Sequence, residues 1–231
     1  EMLRSLVGSE MCIRDRSKRA RKMLDEAGLQ CCKIVASNSL DEYLIRDLMM
    51  QEAKIDTFGV GERLITAKSA PVFGGVYKLA AVEDEQGNII PKIKISENTA
   101  KITNPHYKKL YRFYDNESGK ALADELCVYD ETIDSTKPHT IFDPDAIWKT
   151  KTLTDYTARE LHVTVFKNGE LVYKQPSLYE IRIYCAEQLE TLWDEVKRFE
   201  NPHTYYVDLS KKLWDIKNEL LEKSKDGKDL K

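Results

Sequence analysis

The chain has 231 residues, with 36 Lys+Arg against 39 Asp+Glu and a formal charge of −3; 42% of its residues are hydrophobic and 32% charged. That is the balance of a globular protein with a buried core, long enough for one large domain or two small ones. No apolar run approaches the ~20 residues of a membrane-spanning helix, and the near-neutral charge offers no basic footprint for nucleic acid. Five cysteines without framework spacing argue for reduced thiols and a cytoplasmic location.

Residues 1–16 read EMLRSLVGSEMCIRDR, with no Met at position 1 and no apolar h-region of a signal peptide. SLVGSEMCIRDR is similar to the conceptual translation of a sequencing adapter. Residues 1–16 are therefore expected to be non-native, a frayed N-terminal arm being the alternative. Native sequence is then expected to start near Ser17, as the back part of a longer chain.

Ser17–Ala27 is expected to be a short helix with a serine cap, closed by Gly28. Lys33–Ala36 reads as a buried strand. A helix follows, with Ser39 and Glu42 spaced as a capping box. Lys54–Phe58 is a second strand, running into Gly59-Val60-Gly61. Strand, helix, strand is the pattern of parallel βα units. From Gly75 the period changes to hairpins: Val76–Val82 with Ile89–Ile95, Lys109–Tyr114 with Ala121–Tyr129, and Leu161–Phe166 with Leu171–Tyr173 around Asn168-Gly169. Asp130–Arg159, polar and containing Pro138 and Pro144, reads as a long surface connection. Ser177–Phe199 and Asp208–Lys223 are expected helices, and the tail from Ser224 is expected to be solvated.

The two parallel strands end in Ser37-Asn38 and Gly59-Val60-Gly61. Small and glycine residues at such ends let backbone N–H groups approach an anion closely, and in α/β barrels the loops after the last strands commonly hold a phosphate. Arg63 adds a cation nearby. Ser37, Asn38, Gly59, Val60, Gly61 and Arg63 are thus the phosphate-binding candidates. The competing reading is that the glycines serve a tight turn and Ser and Asn cap a helix. His106, His139, His162 and His203 have no partner at metal-site spacing, so no metal is assigned. Cys31-Cys32 reads as packing rather than redox chemistry, and Tyr184, Trp193 and Trp214 as core or interface.

SNSLDEYLI (Ser37–Ile45), KIDTFGVGERLIT (Lys54–Thr66), GGVYKLAAVE (Gly74–Glu83), PKIKISENTAKITNP (Pro91–Pro105) and YRFYD (Tyr111–Asp115) resemble, in order and spacing, the nicotinate phosphoribosyltransferase family. The resemblance runs from Ser17 to the C-terminal helices. It implies an α/β fold, the C-terminal part of a type II phosphoribosyltransferase: residues 17–75 as the last βα units of an irregular phosphate-binding barrel, and 76–231 as a β-rich α/β sandwich part with C-terminal helices. It implies formation of nicotinate mononucleotide and pyrophosphate from nicotinate and phosphoribosyl pyrophosphate. It further implies ATP hydrolysis through a phosphohistidine, Mg²⁺, and a homodimer. Carried over, Gly59-Val60-Gly61 binds a substrate phosphate, with Ser37 and Asn38 beside it.

The sequence departs from that family at three places. Ser39 stands where the family usually has Asp, and His106 where it has Gly, in a turn that needs positive φ. The family's Asp-Ser-Gly-Asp segment belongs just before Ser17, where SEMCIRDR stands. The phosphorylated histidine and the aromatics that stack on nicotinate belong further upstream, and none of the four histidines matches. No catalytic residue is assigned, and the chain alone is expected to be inactive and poorly soluble. Two other readings are a non-enzymatic β-rich interaction module and a phosphoribosyltransferase for a related base.

Overall fold

Val35–Ser37 and Thr57–Gly59 pair as the parallel strands on which the first part of the chain is organised, but the first is not the buried strand expected, since Val35 is 63% exposed and only Ala36 is half-buried. The computed structural model describes residues 10–72 and 74–225, with residues 10–12 by backbone alone, and divides the chain into two units, Glu1–Val76 and Tyr77–Lys231. The first contains α1 (Glu10–Glu26), β1 (Val35–Ser37), α2 (Glu42–Met50), β2 (Thr57–Gly59) and the single turn α3 (Glu62–Ile65).

Leu40, Leu48 and Ala53 are buried together, with Ile13, Ala36, Leu44, Ile45, Ile55, Phe58 and Val60 packed around them. Helix α1 does not start at Ser17 but runs through residues 10–16. Ser17 is instead a buried connector, donating to the Arg14 carbonyl at 2.7 Å and accepting from Lys54 N at 2.9 Å. Gly28 ends the helix at φ +75°, the left-handed geometry expected of it. The cap of α2 is Asp41, two residues beyond the expected Ser39. Asp41 is extended (φ −139°, ψ 178°) and its side chain accepts from Leu44 N at 2.9 Å. Ser39 lies at φ +52°, outside the extended region that a cap residue occupies. Leu40 before the cap and Ile45 in the first turn meet in the core, a hydrophobic staple.

The second unit contains β3 (Ala81–Glu83), β4 (Ile89–Pro91), β5 (Lys108–Asp115), β6 (Ala121–Val128), β7 (His139–Phe142), β8 (Thr150–Leu153), β9 (Tyr156–Glu160), β10 (Phe166–Lys167), β11 (Glu170–Leu171), α4 (Leu178–Glu190), β12 (Val207–Leu209) and α5 (Lys211–Lys225). Its central sheet has the order β12-β6-β5-β9, with β12 parallel to β6 and the other pairs antiparallel. The expected hairpin of Lys109–Tyr114 with Ala121–Tyr129 forms up to Val128, whereas β3–β4 covers three residues on each strand and β10–β11 only two, leaving residues 161–165 outside any strand. Between β3 and β4, Asp84 organises the turn, accepting from Gln86 N, Asn88 N and Asn88 Nδ2 at 2.8–2.9 Å. Asn168 and Gly169 have φ of +50° and +82°, the conformation for which the Asn-Gly signal was read.

The expected surface connection 130–159 is corrected: it contains β7, β8 and most of β9. Ile141, Leu153 and Tyr156 are buried against Phe113 and Ala123 of the sheet, and this cluster is the main core of the unit. Pro138 and Pro144 flank β7 without interrupting it. Helix α4 starts with a complete Ser177–Glu180 capping box but ends at Thr191, short of Phe199. Asp208 begins no helix, because Val207–Leu209 is a strand. Leu209 and Leu213 instead close a second cluster with Val128, at the β12–α5 corner. Ser224 and Lys225 end α5, and the remainder of the expected tail lies outside the described residues.

Cys31 and Cys32 are exposed, so the packing role read for them does not hold. Tyr184 is likewise more exposed than a core reading allows, whereas Trp214 is half-buried and donates its indole N–H to the Pro144 carbonyl at 3.1 Å. Among the described residues no helix is long and apolar enough to cross a membrane.

Candidate phosphate-binding site

β1 and β2 run parallel in register, so Val35 faces Thr57, Ala36 faces Phe58 and Ser37 faces Gly59. Both strands end at that last pair, which brings the two turns read from the sequence side by side. Ser37 Oγ donates to the Gly59 carbonyl at 3.2 Å. A Cβ built on Gly59 would lie 3.2 Å from Ser37 Oγ and 3.3 Å from its Cβ, tighter than ordinary contact. Close approach of the neighbouring strand therefore gives Gly59 a structural reason to be glycine.

Gly61 has no such reason. A Cβ there would meet no atom within 4 Å, and its φ is −106°. The open space in front of Gly61 is the geometry in which a ligand can approach the backbone closely. Val60, between the two glycines, turns its side chain into the core cluster, so only its backbone is available to a ligand.

Asn38 and Ser39 follow β1 at φ +93° and +52°, two consecutive left-handed residues. Asn tolerates this better than Ser, and the turn that results leaves Ser37 and Asn38 exposed. Arg63 pairs with the Asp41 carboxylate through Nη1. Asp41 thus caps α2 with one oxygen and holds Arg63 with the other, tying the β1–α2 turn to the β2–α3 turn. Asp41 was not singled out from the sequence. The signal for it was present, since an Asp three residues before Leu44 and next to Leu40 is a favourable cap, but Ser39 offered the same chemistry.

The second unit carries the strongest charge network. Arg112 grips Asp124 through Nε and Nη2 at 2.8 and 2.9 Å, and Tyr205 donates to the same carboxylate at 2.7 Å. The Asp124 hydrogen bond raises the Arg112 guanidinium above its usual range. Burial foremost, then Asp124, raises the Tyr205 hydroxyl. Glu125, almost fully buried, bonds His139 Nε2 at 2.8 Å, and burial drives the neighbouring Cys127 thiol well up. Among the described residues no three His, Cys, Asp or Glu side chains form a group that would hold a metal ion. His106 lies at φ +78°, so the expected positive-φ turn is present and a histidine occupies it. Lys108 Nζ satisfies the Asn104, Pro105 and His106 carbonyls at 2.6–3.2 Å.

Residues 107–217 match the model of the nicotinate phosphoribosyltransferase C-terminal domain. The chain is 41% identical over 209 residues to the nicotinate phosphoribosyltransferase of Bacillus subtilis, covering 90% of this chain and 42% of that protein. It is 34% identical over 230 residues to the enzyme of the same name from Dictyostelium discoideum, covering 93% of this chain and 38% of the relative. The crystal structure of human nicotinic acid phosphoribosyltransferase superposes with a TM-score of 0.62 at 23% identity, covering 94% of this chain and 38% of the human one. That likeness bears on fold alone, and it agrees with the α/β class read from the sequence. The chain spans less than half the length of the relatives it matches.

Proposed function

For a chain that corresponds to the C-terminal part of the nicotinate phosphoribosyltransferase family, we propose that it supplies the phosphate-binding strand ends of an enzyme that joins nicotinate to phosphoribosyl pyrophosphate. The products are nicotinate mononucleotide and pyrophosphate, and ATP hydrolysis accompanies the reaction in the whole enzyme, a homodimer of the cytoplasm with the barrel-and-sandwich architecture of the family. This is the entry of nicotinate into NAD synthesis. In this reading the backbone of Gly59, Val60 and Gly61, with Ser37 and Asn38, receives a substrate phosphate. Arg63, held by Asp41, lends positive charge to the same place.

The observation that carries the reading is the register of Ser37 against Gly59 at the C-terminal ends of two parallel strands, with Gly61 open beside them. Fixing the phosphate there holds the anomeric carbon in one orientation for attack by the base. Mg²⁺ and ATP are expected of the whole enzyme, and among the described residues no three His, Cys, Asp or Glu side chains form a group that would hold the ion. The sequence contains no Asp-Ser-Gly-Asp segment, and turnover by the 231-residue chain alone is not expected.

The test is a chimera in which residues 17–231 replace the matching region of the Bacillus subtilis enzyme. Nicotinate-dependent formation of nicotinate mononucleotide is expected, together with its loss in Gly61→Leu. A chimera that folds and dimerises normally yet forms no product would contradict the proposal.

A further inference from the structure

The loop from Gly28 to Lys33 joins α1 to β1, and hydrogen bonds fix most of its backbone. Leu29 N donates to the Leu24 carbonyl at 2.8 Å and Gly28 N to the Asp25 carbonyl at 3.0 Å, the paired bonds of a Schellman helix end. A β-turn follows at once, with Cys32 N donating to the Leu29 carbonyl at 3.1 Å. The Arg21 guanidinium ties this turn back to the helix. Its Nε donates to Asp25 Oδ1 at 2.9 Å, Nη2 to the Leu29 carbonyl at 2.9 Å and Nη1 to the Cys32 carbonyl at 2.6 Å.

The turn so held carries Cys31 and Cys32 side by side, and both are exposed. Free cysteine is ordinarily among the most buried residue types, yet neither belongs to a core cluster of the described residues. Their Cα atoms are about 3.8 Å apart. Because Cys31 lies in a turn, the alternation that holds consecutive strand side chains on opposite faces does not separate the two thiols. Two sulfurs fall short of the four ligands of a structural zinc site, and among the described residues no three His, Cys, Asp or Glu side chains form a group for a metal ion. A trivalent arsenic centre that carries one organic group is a soft acceptor with two positions to fill, and two thiol sulfurs complete it.

We propose that Cys31 and Cys32 form a dithiol site for trivalent arsenicals. With an organoarsenic(III) oxide, both S–H bonds break and two As–S bonds form, and the oxygen of the arsenical leaves as water with the two protons. Arsenic stays trivalent throughout, so no oxidant or reductant is consumed. The site lies at the N-terminal end of β1, whereas Ser37 and Gly59 lie at the C-terminal ends of β1 and β2, so it stands or falls separately from the phosphate site.

The test is incubation of the full chain with phenylarsine oxide, followed by intact-mass measurement in excess 2-mercaptoethanol. One arsenical per chain is expected to survive the monothiol and to be removed by 2,3-dimercaptopropanol, a competing dithiol. Cys31→Ser and Cys32→Ser are each expected to weaken retention about a hundredfold, since in the parent the second sulfur binds at high effective concentration. Both side chains are exposed, so the serine variants should fold as the parent does. Cys12→Ser and Cys185→Ser are expected to keep the adduct. Loss of the parent's adduct to the monothiol, equal retention by the parent and both turn variants, or retention that depends instead on Cys12 or Cys185 would each overturn the proposal.

Discussion

Ser37 and Gly59 face one another across the two parallel strands of the first unit, and the serine hydroxyl donates to the glycine carbonyl at 3.2 Å. The pairing leaves no comfortable room for a side chain on Gly59. Gly59→Ala is expected to lower stability by about 1 kcal/mol, the usual scale of forced overpacking. Ser37→Gly in the same background is expected to recover most of the loss. Denaturant unfolding of the two single variants and the double variant measures the coupling, and purely additive effects would show that the contact is not what constrains Gly59.

Asp41 serves α2 and Arg63 together, and the two roles separate by mutation. Asp41→Ala loses the cap and is expected to cost about 1 kcal/mol of stability. Arg63→Met leaves the cap in place and, as a partly exposed ion pair, is expected to cost less than about 1 kcal/mol. Its larger effect is expected on phosphate affinity in the chimera, read as a raised KM for phosphoribosyl pyrophosphate. An unchanged KM would confine Arg63 to holding the turns together.

His106 sits at φ +78°, a conformation that costs a side-chain-bearing residue about 1 kcal/mol relative to glycine. Its ring recovers part of this, since Nδ1 accepts from Tyr107 N at 3.0 Å and the ring stacks on Tyr129 at 5.9 Å. His106→Gly is expected to raise the thermal midpoint modestly, and His106→Val to lower it. A stabilising Val would contradict the backbone account.

Burial, with Asp143 and Glu125 adding to it, pushes the Asp208 carboxyl up to about 6. A carboxyl whose folded pKa exceeds its unfolded value, about 3.9, binds its proton more tightly when folded. Its contribution therefore favours the fold below pH ~4, is lost as pH rises through about 6, and leaves a constant penalty above that. Asp208→Asn is expected to stabilise the protein by about 1–2 kcal/mol at pH 7.5, and the gain should shrink towards pH 4. Unfolding free energies measured at both pH values check this, and a gain independent of pH would exclude titration of Asp208 as the cause.

The parallel pair β1–β2, the β5–β6 hairpin and the Asn168-Gly169 turn were legible because each carries a local signal: β-branched runs broken by small residues, or the one dipeptide that suits two positive φ values. Strands β7, β8 and β9 were not. His139–Phe142 and Thr150–Leu153 bury one residue each, Ile141 and Leu153, among threonines and lysines. Their strand character comes from packing on Phe113 rather than from their own pattern. The helix expected over Asp208–Lys223 takes in Asp208 and Leu209, which pairing with β6 places in a strand. In the candidate site the positions of Ser37 and Gly59 followed from two strand ends. The Asp41–Arg63 pair spans 22 residues, and no local pattern announces it.

The most direct measurement is a calorimetric titration of the 231-residue chain with phosphoribosyl pyrophosphate, alongside Gly61→Leu. Nothing lies within 4 Å of a Cβ at Gly61, so the variant should fold as the parent does. Saturable binding by the parent and loss of at least tenfold in affinity by the folded variant, about 1.4 kcal/mol, is the predicted result. Equal binding by both, or none by either, would contradict a phosphate site at the ends of β1 and β2.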